Sequence, residues 1–305
     1  MMTQQSPVIT PTPTRQARYL LGRSSSESKR LSDQHEVLLK AAGGYIPVPL
    51  SIHPETIEAI LDVGTGNAQW LLGLRQSGVI SPATELWGID VSKDMMPDSE
   101  LGRSLGLSLE VRDLCEPLPS CWNNKFDFIH GRHVLIWIEP YKWPRILSNL
   151  WQALKPGGTL VIMYPGSTPY DSKTNIPLDS KSAPARLFSA FLKFSESSGF
   201  PRRAVAELPD LLVKAGFDPE WIMSKTSPIR IGRAEPEKCL QAASAHHLDF
   251  VLELILKHPY SQQLGCPSPD DEDGWRALFQ EWRKSTDKGF CYDLHIIAAR
   301  KPLLQ

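Results

Sequence analysis

Two kinds of segment alternate along the chain from about residue 56 onward. Short apolar runs end in a polar or glycine-rich turn, and longer stretches with apolar positions three and four residues apart follow them. The first kind is typical of buried strands and the second of amphipathic helices. Their alternation predicts an α/β fold with a doubly wound parallel sheet. The predicted strands cover 56–63, 85–91, 107–112, 126–130, 159–164, 221–223 and 290–299.

Helical spacing also extends outside this alternation. We expect Gly78 to end the helix after the first strand, and Ser92 to cap the helix after the second. The segment before the first strand is either a pair of helices packed on the core or a cap over a site, with Tyr19, Gln34, His35 or Tyr45 facing that site. Further helices are predicted over 15–39, 139–154, 187–194, 208–215, 239–256 and 271–284.

The turn after the first strand carries the strongest chemical signal. Asp62 precedes glycines at 64 and 66, and a helical pattern begins soon afterwards. Glycine has no Cβ, so the backbone there can turn sharply and approach a ligand, and the next helix starts with free N–H groups. These features predict a nucleotide-type pocket, although a tight turn without a ligand would use the same residues. Gln69 replaces the last glycine of the dinucleotide fingerprint, which weakens an NAD-dependent oxidoreductase as an interpretation.

Three more polar residues close the following strands, namely Asp90, Asp113 and His130. An open α/β sheet binds its ligand outside these strand ends. Asp90 follows Gly64 by 26 residues (90 − 64), near the roughly 20 expected for a ribose-binding acid. Each residue has a structural alternative: a helix start for Asp90, a turn for Asp113 and a backbone hydrogen bond for His130. Their occurrence in this order favours one shared site.

Composition narrows the classes of partner. The 305 residues carry a net charge of −1 without a basic patch, which disfavours nucleic acid. The five cysteines are scattered without a C-x-x-C pair, so neither a metal site nor a disulfide framework is predicted. The apolar runs are too short to cross a bilayer, and the start of the chain has no signal-peptide pattern. We therefore expect a cytoplasmic protein that does not bind membranes.

The residues around Asp62 resemble the first motif, D-x-G-x-G-x-G, of class I S-adenosylmethionine (SAM)-dependent methyltransferases, with Ala68 at the third glycine. Further segments resemble the branch typified by fungal secondary-metabolite methyltransferases. The resemblance implies a Rossmann-like fold with strand order three-two-one-four-five-seven-six, an antiparallel last strand, and SAM as the cofactor. These segments are Phe-Asp-Phe-Ile-His-Gly-Arg at 126–132, Leu-Lys-Pro-Gly-Gly at 154–158, and the N-terminal stretches 19–23, 30–31 and 34–35.

The predicted organisation is a methyltransferase core interrupted by possible lids. It comprises a disordered leader (1–14), an N-terminal helical cap (15–55), a SAM-binding core (56–165), a lid insertion (166–200), a continuation of the core (201–230), a helical lid or substrate region (231–287) and the last core strand (288–305). An exposed cap helix could also serve a homodimer.

The cofactor chemistry assigns roles to the strand-end residues. The Asp90 carboxylate could accept hydrogen bonds from two ribose hydroxyls. Asp113 could accept from the adenine amino group, while the Leu114 N–H meets a ring nitrogen. Carbonyls around Gly64, with Asp62 nearby, would suit the methionine ammonium. The predicted cofactor residues are Asp62, Gly64, Thr65, Gly66, Asp90, Val91, Asp113, Leu114 and His130.

The predicted reaction is methyl transfer to an oxygen or nitrogen of a small, fairly apolar molecule of secondary metabolism. The protein must align donor and acceptor and exclude water. His133 is the first candidate for a general base and His130 the second, and an amine acceptor would need neither. A non-catalytic SAM-binding regulator is the alternative. The candidate substrate contacts are Tyr19, Gln34, Tyr45 and Tyr170.

Overall fold

A computed structural model of the chain describes residues 25–47, 53–200, 202–248, 266–268 and 271–303. The predicted leader and Tyr19 lie outside these residues. The described strands are β1 (Ala59–Val63), β2 (Glu85–Asp90), β3 (Leu107–Val111), β4 (Phe126–Arg132), β5 (Leu154–Pro165), β6 (Met223–Ile231) and β7 (Phe290–Arg300). They form one sheet in the order β3-β2-β1-β4-β5-β7-β6, which confirms the predicted α/β class and strand order.

Strands β1 to β5 pair in parallel, and β7 runs antiparallel between β5 and β6. All five residues of β1 are buried, because helices cover both faces of the sheet. The register places Asp62 opposite His130, and Gly131 opposite Val63. The carboxyl ends of β1 and β4 therefore lie side by side.

The helices divide between the two faces. Leu38 of α1 and Leu71 of α2 belong to one core, and Trp143 of α4 and Leu208 of α6 belong to the other. Burying each such side chain contributes about 1.5–3 kcal/mol. The helices are α1 (Ser25–Ala42), α2 (Gln69–Ser77), α3 (Ser99–Ser104), α4 (Trp143–Ala153), α5 (Ala183–Ser197), α6 (Leu208–Lys214), α7 (Lys238–His246) and α8 (Glu272–Lys288).

Several predicted boundaries were wrong. Strand β5 begins at Leu154 rather than at residue 159, because the glycine-rich segment pairs with the chain after β7: Gly157 N–H donates to Lys301 O over 3.0 Å. Strand β6 occupies Met223–Ile231 rather than 221–223. It is an edge strand with exposed polar residues and a proline, so it lacks the apolar run of a central strand.

Two predicted helix starts also differ. Helix α4 begins at Trp143, after a short 3-10 turn over Pro140–Lys142, and not at residue 139. Ser92 does not cap a helix through its side chain, since its hydroxyl is buried without a partner among the described residues. Asp98 caps α3 instead, accepting hydrogen bonds from two backbone N–H groups.

Helix α1 is fastened to elements near the carboxyl edge of the sheet. Asp33 on α1 pairs with His246 on α7 at 2.5 Å, and Lys40 pairs with Glu235 and Glu237.

No helix among the described residues is long and apolar enough to cross a membrane.

Candidate active site

The loop between β1 and α2, residues 64–68, is called here the glycine loop. Gly64, Gly66 and Ala68 all have left-handed backbones, with φ of 71°, 54° and 58°. Alanine adopts this conformation at a cost of roughly 1–2 kcal/mol, which explains why glycine suits the third position of the motif. A Cβ on Gly64 would lie 3.0 Å from Cβ of Val134, so the loop approaches the end of β4 closely.

Asp90 fastens the glycine loop to the end of β2. Its Oδ2 accepts a hydrogen bond from Gly66 N–H at 3.0 Å, and its Oδ1 accepts one from Ser92 N–H at 2.9 Å. Burial raises the pKa of the carboxyl group, while these N–H donors oppose that effect. Each carboxylate oxygen keeps a further lone pair that could accept from a hydroxyl group. Val91, the next residue, is exposed.

Asp113 and Leu114 follow β3. The Asp113 side chain is exposed, and its Oδ1 accepts a hydrogen bond from Cys115 N–H at 2.8 Å. Leu114 is buried in the core of the α4 face. Both acids accept hydrogen bonds from backbone N–H groups, Asp113 in the turn that its structural alternative had proposed, and both carboxylates retain acceptor capacity.

The ends of β1 and β4 carry a buried, hydrogen-bonded pair of side chains. His130 Nδ1 lies 2.7 Å from Asp62 Oδ1, and both side chains are buried. The ring of Trp70 stacks on His130 with centroids 4.0 Å apart and planes inclined by 7°. Burial lowers the pKa of His130, although the neighbouring Asp62 opposes this. The neutral ring donates from Nδ1 to the carboxylate, which leaves Nε2 as a buried acceptor without a hydrogen-bond partner in the described part of the chain.

Arg132 and His35 extend this group. Arg132 lies two residues after His130 on β4 and so projects from the same face of the sheet. Its Nη1 donates to Nδ1 of His35, on α1, over 3.3 Å. Burial first, and the charge of Arg132 second, lower the pKa of His35 to about 3, so its ring is neutral. We call Asp62, His130, Arg132 and His35 the polar cluster.

The cap helix also covers the glycine loop. Asn67 Nδ2 donates to Ser28 O at 3.2 Å and to Ser32 Oγ at 3.3 Å. A Cβ on Gly66 would lie 3.5 Å from Leu31 Cδ1. Helix α1 therefore contacts both the glycine loop and the polar cluster.

Two predicted candidates lie close to this edge. His133 follows β4 in a left-handed conformation with φ of 59°, and its N–H donates to Met163 O at 2.8 Å. The Tyr45 ring lies between His35 and Trp70, and its hydroxyl packs over Gly73 of α2, where a Cβ would come within 2.1 Å.

The other substrate candidates are dispersed. Gln34 is buried on α1. Tyr170 lies beside the start of β7, and its hydroxyl donates to Asp293 Oδ1 at 2.8 Å. Burial and this carboxylate raise the pKa of the Tyr170 phenol. The structure thus brings the cofactor candidates of β1, β2 and β4 together, whereas Tyr170 hydrogen-bonds within another part of the fold.

Sequence analysis named His35 as a candidate of the cap, but it assigned no role in the site to Arg132 or Trp70. The period-two alternation of a strand places Arg132 on the face of His130, and this signal could have found it. His35 and Trp70 join the cluster only through tertiary packing. Among the described residues, no group of three or more His, Cys, Asp or Glu side chains could hold a metal ion.

Together, the strand order and the loop-and-acid geometry define a Rossmann-like, SAM-dependent methyltransferase. The family model described as a methyltransferase domain matches residues 29–196, more than half of the chain. The chain therefore belongs to this family. The family match confirms the predicted class of enzyme and its cofactor, while the roles of individual residues stay predictions.

Named relatives extend the comparison. N-methyltransferase sirN of Leptosphaeria maculans is 25% identical over 292 residues, which cover 95% of this chain and 96% of that protein. N-methyltransferase verN of Clonostachys rogersoniana is 31% identical over 147 residues, or 48% of this chain and 50% of that protein. The alignment with verN thus spans only about half of each chain, whereas that with sirN spans nearly all of both.

A solved structure agrees with the fold. Phosphoethanolamine N-methyltransferase 2 of Haemonchus contortus, in complex with SAM, superposes with a TM-score of 0.52 at 15% identity. The match covers 93% of this chain and 58% of that one. At this identity, the comparison supports the architecture alone.

Proposed function

We propose that this protein transfers the methyl group of SAM to a nitrogen atom of a small, fairly apolar molecule of secondary metabolism. The observation that carries the choice of nitrogen is the nearly full-length alignment with N-methyltransferase sirN. The shorter alignment with verN, also named an N-methyltransferase, supports the same choice. None of these observations favours a non-catalytic regulator.

The carboxyl edge of the sheet fits the cofactor in its chemistry. The left-handed glycine loop leaves room for close approach, and Asp90 has lone pairs that suit the two ribose hydroxyls. Asp113 is exposed one strand further along, where it would suit the adenine amino group. We infer that the adenosine half lies across the ends of β1, β2 and β3.

SAM supplies a methyl group already activated by its sulfonium. The chain then has to hold the acceptor nitrogen in line with that group and keep water away, and alignment alone can lower a barrier by several kcal/mol. The contacts of Asn67 and Leu31 between the glycine loop and α1 support a role for α1 as the cover.

A neutral amine attacks with its own lone pair, so a base acts only where the acceptor arrives protonated and must lose a proton before the transfer. His130 is bonded to Asp62 and covered by Trp70, which makes it a poor candidate for this task. His133, at the turn after β4, is the better candidate. His133→Ala should then slow turnover and flatten the pH–rate profile, and an unchanged profile would remove it from the mechanism.

Turnover tests the proposal directly. We would incubate the protein with SAM and matched sets of small aromatic molecules that differ only in carrying an amine or a hydroxyl group. Mass spectrometry should show one added methyl group on the amines, together with S-adenosylhomocysteine. Methylation of the hydroxyl compounds alone would contradict the choice of nitrogen. Binding of the cofactor without any transfer, across acceptors of both kinds, would favour a regulator.

We also infer a cytoplasmic location and a small-molecule partner.

We further infer that the protein forms a homodimer through its cap helix. Lys29 of α1 is an exposed residue on that helix. Light scattering on the purified protein would report the mass of one or two chains, and a single-chain mass at high concentration would contradict the dimer.

A further inference from the structure

One tryptophan at the carboxyl edge differs from the other partly exposed tryptophans of the chain, which are Trp87, Trp151 and Trp221. A cation of the protein lies over the ring in those three, 3.8 Å from the ring centre of Trp87, 3.9 Å from that of Trp151 and 4.8 Å from that of Trp221. The fourth is Trp137, and none of the described residues places a cation or a face-on stacked ring over it. Because aromatic faces attract both kinds of group, this ring can receive one from a ligand.

The turn after β4 connects Trp137 to the glycine loop. Leu135–Trp137 form a single 3-10 turn, and the Trp137 N–H donates to Val134 O at 3.1 Å. Side chains three residues apart lie on the same side of such a turn, about 6 Å apart along its axis. Val134 lies against the glycine loop, since a Cβ on Gly64 would come within 3.0 Å of its Cβ. Trp137 is therefore one turn further from the loop, on the same side.

Helix α5 orients the ring of Trp137. Phe191, a buried residue of α5, contacts it in a T-shaped arrangement with centroids 6.2 Å apart and planes inclined by 70°. Phe191 belongs to the same core cluster as Phe188 and Met163, and Trp137 packs against that cluster. These neighbours are apolar, and they favour an uncharged planar group over a hydrated cation as the ligand of the ring.

We propose that Trp137 is a stacking platform for the methyl acceptor and selects acceptors that carry an aromatic ring. The assignment rests on the proposed function and deepens it, because it names the substrate class as aromatic amines. With the adenosine half across β1, β2 and β3, the side toward β4 and β5 remains for the acceptor. A ring stacked on Trp137 would be held beside the glycine loop, so this residue contributes to the alignment of acceptor and donor.

Turnover of two probe amines tests the platform. 2-Phenylethylamine and 2-cyclohexylethylamine carry the same amine on the same chain, and only the first has an aromatic ring. The wild-type protein should show the higher kcat/KM for the phenyl compound. Trp137→Leu should lower the ratio of the two kcat/KM values roughly three- to tenfold, as expected for the loss of an aromatic pair. Trp137→Phe should keep most of the ratio, because it keeps an aromatic face.

Two controls separate this role from a structural one. Trp221→Leu removes a tryptophan that is also partly exposed but has Arg300 over its ring, and it should leave the ratio unchanged. Binding of S-adenosylhomocysteine, measured by calorimetry, should be the same in Trp137→Leu as in the wild-type protein, because the platform is assigned to the acceptor.

The outcomes distinguish this inference from the proposed function. An unchanged ratio in Trp137→Leu, or a wild-type preference for the cyclohexyl compound, would overturn the platform and leave methyl transfer to nitrogen intact. Loss of S-adenosylhomocysteine binding in Trp137→Leu would indicate a distorted cofactor site and would also overturn it. Transfer to neither amine, by a wild-type protein that binds S-adenosylhomocysteine, would contradict the proposed function itself.

Discussion

The two halves of the carboxyl edge are built in different ways. At the ends of β2 and β3, Asp90 and Asp113 bond to backbone groups, most of them two residues away, and remain partly or fully exposed. At the ends of β1 and β4, the polar cluster is assembled from side chains 68 and 97 residues apart and is largely buried. The first half depends on local turns and on one longer contact, from Gly66 N–H to Asp90, and the second depends on tertiary contacts.

This difference suggests a division of labour. Acids with spare lone pairs and access to solvent can exchange water for the hydroxyl and amino groups of a nucleoside at little cost in folding energy. Buried charges carry a larger desolvation cost, and they persist where partners or a ligand compensate for it. We therefore expect mutations in the cluster to affect both folding and binding, and mutations of the exposed acids to affect mainly binding.

The largest expected effect is on folding, at the ring that covers the cluster. Trp70→Ala should lower the free energy of unfolding by about 3–5 kcal/mol, because Trp70 is buried against His130 and Phe128. Urea unfolding measures this change. Trp87→Ala, at a partly exposed position on β2, should cost less than half as much. Equal losses of unfolding free energy for Trp70→Ala and Trp87→Ala would contradict the proposed difference between the two halves of the carboxyl edge.

Acid should weaken the protein through its buried histidines. Burial lowers the pKa of both His35 and His247 to about 3, so the folded state keeps them neutral while the unfolded state protonates them below about pH 6.5. Their contribution to stability is present at neutral pH and is lost as the pH falls. Together they should remove about 3–4 kcal/mol of unfolding free energy between pH 7 and pH 5.

Unfolding curves at both pH values check this expectation. His35→Gln or His247→Gln should each reduce the loss of unfolding free energy between pH 7 and pH 5 by about 2 kcal/mol, whatever its effect on stability at pH 7. His53→Gln is the matched control, because that side chain is exposed. A variant at His35 or His247 with the wild-type pH dependence would show that the histidine is not buried and neutral.

Smaller effects are expected at Asp90 and Asp113, and they should appear in binding. Asp90→Asn should weaken binding of S-adenosylhomocysteine roughly 10- to 50-fold, because the charge that receives the ribose hydroxyls is lost. Asp113→Asn should weaken it only about threefold, since an exposed group gains less from a hydrogen bond. Calorimetry measures both affinities, and thermal melts without ligand should shift little for Asp113→Asn, whose side chain is exposed. A reversed order would mean that Asp113 contributes more to binding than Asp90.

The same contrast explains what could be predicted from the sequence. The apolar runs of the central strands and the turn after Asp62 are local signals, and they predicted the sheet and its strand order. The start of β5 and the polar edge strand β6 were misplaced because their partners are distant in sequence: Lys301, after β7, for the start of β5, and β7 itself for β6. The contacts of His35 and Trp70 with β4 were missed for a similar reason, since nothing near either residue in the sequence shows that it meets β4.

The most direct test of the account is a crystal structure of the protein with S-adenosylhomocysteine bound. We predict the ribose at Asp90, the adenine near Asp113, and the amino-acid end beside the glycine loop near Asp62. A ligand bound away from the carboxyl edge of β1, β2 and β4 would contradict the account.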